Sequence, residues 1–129
     1  MNPLTVEWVK KAEADWNTAQ RELATIETPN YDAVCFHAHS CAEKYLKARL
    51  VEAKIDFPKT HDLALLLELL RPVEPDWQRL SSELNSLSDC AVEIRYPGYS
   101  ADCQEARQAV AIAGEVRQIV RKTFQLWNL

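Results

Sequence analysis

Four short stretches of this sequence carry side chains able to do chemistry. The first is Arg95-Tyr96-Pro97-Gly98-Tyr99, with Asp102 close behind. An arginine and two tyrosines stopped by Pro-Gly form an aromatic, positively charged corner. The guanidinium can grip a phosphate through paired N–H bonds, and a tyrosine ring can stack on a base. Equally, the arginine can pair with a carboxylate such as Glu43 or Asp62 in a structural turn. The second stretch is Lys59-Thr60-His61-Asp62. His61 and Asp62 fall in the first turn of a helix, where they cap it or where its N-terminus holds an anion. The third is the row His39, Glu43 and Lys47, at four-residue steps. Glu43 followed by Lys47 is the favourable order for a helix ion pair. The row is either a solvated face or the edge of a groove.

The fourth stretch is Cys35-Phe36-His37-Ala38-His39-Ser40-Cys41. Cys35 shares a helix face with His39, and His37 shares one with Cys41. The two pairs point in different directions, so one helix cannot converge them on an ion. With Cys90 and Cys103 the cysteines match no zinc spacing. All four are expected to be reduced, buried and apolar, and no metal or other cofactor is expected.

Composition narrows the field further. The 129 residues suit one domain spanning 1–129, and a 47% hydrophobic, 26% charged make-up is that of a folded protein. Only Gly98 and Gly114 are glycines, too few for a phosphate-cradling loop. The net charge of -4 disfavours non-specific nucleic-acid binding, because phosphate contacts need a basic field. No secretory leader is visible at the N-terminus, and the apolar run Leu63–Leu67 stops at Glu68, far short of a membrane span. A cytoplasmic protein with no membrane contact is expected.

The elements that must position these residues follow from the prolines. Pro3, Pro29, Pro58, Pro72, Pro75 and Pro97 leave room for helices over roughly 4–27, 31–55, 61–71, 76–96 and 100–127. Each stretch has an apolar stripe at three- and four-residue steps. In the first it is Trp8, Ala12, Trp16, Ala19, Leu23 and Ile26; in the fourth, Trp77, Leu80, Leu84, Leu87, Ala91 and Ile94. The last runs from Ala106 through Val116 and Phe124 to Trp127. Thr60, Asp76 and either Ser100 or Asp102 can cap helices three to five, and Asp102 with Glu105 has capping-box spacing. The expected fold is all-α, an antiparallel bundle of four to five helices without a sheet.

At these residues the chain resembles the HEPN domains (higher eukaryotes and prokaryotes nucleotide-binding), in the branch of small stand-alone bacterial and archaeal proteins. Trp8-Val9-Lys10-Lys11-Ala12-Glu13-Ala14-Asp15-Trp16 is similar to the family's first helix. Ala42-Glu43-Lys44-Tyr45-Leu46-Lys47-Ala48 resembles its typical Ala-Glu-Lys-x-x-Lys-Ala. Thr60-His61-Asp62-Leu63 and Arg95-Tyr96-Pro97 resemble its third-helix start and its late Arg-Tyr-Pro. The motifs occur in the family's order over nearly the whole chain.

The resemblance implies a homodimer, often paired with a minimal nucleotidyltransferase in a toxin–antitoxin-type system. It also implies a metal-independent ribonuclease in many members, built on an arginine, four to six residues, then a histidine. This chain departs from that motif, for no histidine follows His61. The expectation is a dimeric nucleotide- or RNA-phosphate-binding protein without the usual ribonuclease histidine. The alternatives are a ribonuclease using Arg95 with a relocated histidine (His37, His39 or His61, whichever the fold brings near Arg95, with His61 the catalytic candidate) and a purely structural interaction module. Candidate phosphate-site residues are Glu43, Lys44, Lys47, His61, Asp62, Arg95, Tyr96 and Tyr99. Glu43, Lys47, His61 and Arg95 are expected to share a groove, with Glu43 as the carboxylate partner of Arg95. Trp8, Trp77 and Trp127 are expected to add apolar surface that favours the dimer.

Overall fold

The structure is a computed structural model that describes residues 1–126. It contains α1 (Pro3–Leu23), α2 (Tyr31–Glu52), α3 (Leu63–Leu69), a 3-10 turn (Pro75–Leu80), α4 (Ser81–Glu93) and α5 (Cys103–Phe124). No strand occurs among the described residues, and the all-α bundle expected from the sequence is what forms.

Cross-helix hydrogen bonds fix the directions. Thr5 donates to Glu52, Tyr45 to Glu13, Ser40 to Asp15, and the Asn30 amide to Glu22. One residue number rises as the other falls, so α1 and α2 run antiparallel. The Ala101 amide donates to Asp32, and Arg121 to Tyr45, so α5 runs parallel to α2. The excursion through α3 and α4 returns the chain to the end where α2 began.

α2 is the central element and packs against α1, α3, α4 and α5. A helix covered on most sides carries little one-sided apolar pattern, and α2 is buried from Val34 to Leu50 with few breaks. Small side chains let the partners approach: Ala12, Ala19, Ala38, Ala42 and Ala113 are all inaccessible. Larger ones fill the gaps, among them Leu46, Leu50, Leu63, Leu66, Leu84 and Val116. Each fully buried leucine contributes about 1.5–3 kcal/mol against leaving it in water. At Gly114 a methyl group would come 3.0 Å from the Trp16 ring, so glycine there lets α1 lie close on α5.

The ends of the helices depart from expectation in instructive ways. α1 starts with Pro3 at its first turn, and the Asn2 side chain accepts from the Leu4 amide. α3 is capped by Asp62 rather than Thr60; the Thr60 hydroxyl accepts from the Asp62 amide instead. Asp76 caps nothing, because Pro75 opens a 3-10 turn and α4 only begins at Ser81. The Asp102–Glu105 capping box forms as spaced. Cys35 and Cys41 are buried, but Cys90 and Cys103 are only half-buried, so the uniform burial expected of the cysteines fails. All four are free thiols. Trp77 is buried and Trp8 packs on Phe57, so neither supplies the exposed apolar area expected of them; Trp127 lies outside the described residues.

Candidate functional site

Buried charge gathers on two sides of α2. On the α1 side, Asp15 accepts from His37 Nδ1 at 2.7 Å, Ser40 Oγ at 2.9 Å and Lys44 Nζ at 2.6 Å. Burial pushes the Asp15 carboxyl up, but the bonds from Lys44, His37 and Ser40 outweigh it and leave it below its ordinary range. Nearby, Glu13 takes both Arg117 donors at 2.7 and 2.9 Å and also accepts from Tyr45. These networks tie α1 to α2 and α5.

The other side holds the row His39, Glu43 and Lys47. It is not a solvated face, since all three side chains are buried. Lys47 Nζ lies 2.9 Å from Glu43 Oε2. It also sits 5.4 Å from the Trp8 ring and 5.8 Å from the Phe57 ring. A cation held off water is stabilised by such ring faces and by its carboxylate. The second Glu43 oxygen, Oε1, accepts from His61 Nδ1 at 2.8 Å. The His61 side chain is nonetheless 75% exposed.

His61 opens onto a cleft of about 290 Å³ between α2, the start of α3 and the end of α4. His39, His61, Asp62 and Arg95 give it polar walls; Ala91 and Val92 give it an apolar one. α4 tightens into three-residue turns at its end, with the Arg95 amide donating to Val92 at 3.2 Å. That leaves Arg95 exposed at the mouth. His39 is deeper. Burial holds its imidazole below the ordinary histidine range, and the charges of His61 and Arg95 add to the effect against Glu43 and the His61 backbone.

Several expected residues meet here. Arg95, His61 and Asp62 line the cleft, Glu43 bonds to His61, and Lys47 braces Glu43 from behind. The expected partnership of Arg95 with Glu43, or with Asp62, does not form. Glu43 is committed to Lys47 and His61, and among the described residues Arg95 has no ion pair. Its exposure explains why: a guanidinium in contact with water does not require a carboxylate. Asp62 Oδ1 accepts from the Ala64 and Leu65 amides at 3.0 and 3.3 Å, so a carboxylate already fills the α3 N-terminus.

Other candidates fall outside the cleft. Lys44 points to the opposite side of α2, against Asp15. Tyr99 turns toward α5, where its hydroxyl donates to Glu105. Tyr96 is exposed beside Arg95 without lining the cleft. A second hollow, lined by Asp89, Glu93 and Glu105 among others, is acidic and repels phosphate.

Sequence reasoning overlooked the Asp15 and Glu13 networks. Asp15 had a visible signal. It lies three residues after Ala12 and four before Ala19, on the stripe α1 buries. A carboxylate in that register must find donors. His39 gave none, because a histidine on a mixed helix face is as easily solvated as buried.

Comparison with known proteins agrees with the geometry of the bundle. An archaeal HEPN homologue of known crystal structure superimposes with a TM-score of 0.67 over 92% of this chain and 96% of its own, at 19% identity. Identity that low speaks for the fold alone. No curated protein matches the chain. The HEPN domain family model matches residues 5–123. That span runs from the first turn of α1 to the last of α5 and takes in both Glu43 and Arg95, so the chain belongs to the HEPN domain family.

Proposed function

We propose that this protein binds a phosphate of a nucleotide or of RNA in the cleft between α2, α3 and α4. The observation that carries the reading is Arg95, an exposed guanidinium at the mouth of the cleft without an ion-pair partner among the described residues. Such a group retains its full donor set for an incoming oxyanion. The His61 ring lies beside the guanidinium on the same cleft, and Val92 offers an apolar wall for a base or sugar. The protein acts as one domain and as a homodimer, partnered with a minimal nucleotidyltransferase in a toxin–antitoxin-type pair; family membership supports these parts of the reading. No helix among the described residues is long and apolar enough to cross a membrane.

A second reading, ribonuclease activity with a relocated histidine, is favoured by one observation. His61 shares the cleft with Arg95 and is oriented by Glu43, which is how a general base is held. Titrating short RNA into wild type and Arg95→Ala, with product analysis by gel, tests both. Binding lost in the variant with RNA intact in both supports the first reading. Cleavage by wild type that Arg95→Ala abolishes supports the second. Equal binding by the two proteins sinks both.

A further inference from the structure

The Glu43–Lys47 pair has a role in the fold that does not need His61. Two residues at this helix spacing can neutralise each other unaided, yet a third, titratable group has been added. His61 arrives from the segment before α3 and donates Nδ1–H to the oxygen of Glu43 that Lys47 leaves open. This commits the ring. With Nδ1 carrying the hydrogen, the neutral imidazole has its lone pair on Nε2. That nitrogen belongs to a ring exposed at the cleft it shares with Arg95.

We propose that a phosphodiester bound beside Arg95 draws a proton onto Nε2 of His61, and that Glu43 and Lys47 are the positioning residues that hold the ring ready for it. The inference rests on the phosphate-binding reading above. The proton comes from solvent, adds to the Nε2 lone pair, and leaves the Nδ1–H bond to Glu43 in place; no other bond changes. Charges of both signs surround His61. Glu43 and Asp62 favour the imidazolium. Lys47, His39 when charged, and Arg95 oppose it. A bound diester adds a negative charge on the cleft side and tips that balance. Binding and protonation are then linked, each favouring the other by the same factor.

The Lys47 contribution has a stated sign. Its ammonium, held by the Trp8 and Phe57 rings, shares the Glu43 charge and so restrains protonation of His61. Removing it frees the whole carboxylate charge for the imidazole. Removing the carboxylate does the reverse.

The probe is a 2′-O-methyl hexauridylate, whose diesters keep their charge through the histidine range and resist attack by the 2′-oxygen. Affinity is measured by calorimetry from about pH 5.5 to about pH 8, in buffers of different ionisation enthalpy. Wild type should bind about tenfold tighter at the acid end and take up protons on binding, up to one per site. His61→Gln should bind with a flat pH profile and no uptake. The midpoint of the profile should move to lower pH in Glu43→Gln and to higher pH in Lys47→Met, with Lys47→Arg restoring it. Where Glu43→Gln or Lys47→Met fails to fold, the ring-nitrogen NMR of wild-type His61 decides alone: a neutral ring protonated at Nδ1 supports the proposal, and one protonated at Nε2 overturns it. Binding by wild type with no pH dependence, or with one that His61→Gln retains, overturns the proposal and leaves the phosphate reading standing. No binding at any pH sinks that reading as well.

Discussion

Asp15 and Glu43 stand on either side of α2 and are built from the same parts. Each carboxylate accepts from one histidine Nδ1 and one lysine Nζ. What differs is which partner meets water. At Asp15 the lysine and histidine are both partly exposed, at 26% and 30%, and Ser40 adds a third donor. At Glu43 the lysine is sealed at 7%, while the histidine reaches 75%. The first arrangement is a lock between α1 and α2. The second passes the influence of a buried charge pair to an exposed ring. Closely related chemistry thus serves adhesion on one side of the helix and a cleft on the other.

The contrast breaks most visibly on removing the carboxylates. Glu43→Ala strands the Lys47 ammonium between two aromatic rings, away from water. Loss of about 3–5 kcal/mol is expected for such an uncompensated charge. Asp15→Ala leaves Lys44 and His37 partly exposed and able to hydrate, so about 1–3 kcal/mol is expected. Urea unfolding of both variants measures the gap. Equal losses would mean that burial of Lys47 is not what distinguishes the two sites.

Arg95→Ala and Lys44→Ala sharpen the functional half of the comparison. Arg95 has no ion pair among the described residues, so the fold should keep its stability within about 0.5 kcal/mol. Binding of a short RNA should weaken about ten- to a hundredfold, the worth of a charge-assisted contact of about 1.5–3 kcal/mol. Lys44→Ala should behave in the opposite way, losing stability and leaving affinity unchanged. RNA affinity reduced equally by both would place the phosphate elsewhere on the surface.

How much of this was legible from the residues alone follows from where each contact originates. The helices were legible because proline spacing and apolar stripes are local. The Asp102–Glu105 box was legible for the same reason. The fourth helix read as one element, because a 3-10 turn from Pro75 to Leu80 keeps nearly the same stripe while changing the turn. The burial of Glu43 and Lys47 was not legible. It depends on Trp8 from α1 and Phe57 from the segment after α2 closing over the row, and neither is near it in sequence. Arg95 and His61 could be chosen by type, but their meeting depends on how α3 and α4 cross α2. The pairing of Lys44 with Asp15 follows from a register between two helices that no single-helix pattern encodes.

Acid sharpens the comparison from the Asp15 side. Its carboxyl lies below the ordinary range because three donors outweigh burial. A depressed carboxyl stabilises the fold above the ordinary value of about 4, and that stability is lost as pH falls through the folded value. Urea midpoints of wild type should therefore fall below about pH 4 more steeply than those of Asp15→Asn, which has no carboxylate to protonate. Parallel curves would show that Asp15 holds its donors without electrostatic gain.

The smallest effect concerns His39, deep in the cleft and without a counterpart on the Asp15 side. Burial, foremost, and the charges of His61 and Arg95 keep it neutral to lower pH than an ordinary histidine. The unfolded chain then binds a proton that the folded chain refuses. Stability from this source is present above the ordinary histidine value of about 6.5 and drains as pH falls below it toward the folded value. This is opposite in cause to Asp15, where the charged form is favoured, yet both lower stability in acid, in different windows. His39→Gln keeps a polar side chain and removes the titration. Its melting temperature should fall less than that of wild type between about pH 7 and about pH 5. Arg95→Ala, which removes one of the repelling charges, should lie between the two. If His39→Gln instead follows wild type throughout that window, the cleft is wet enough to solvate an imidazolium.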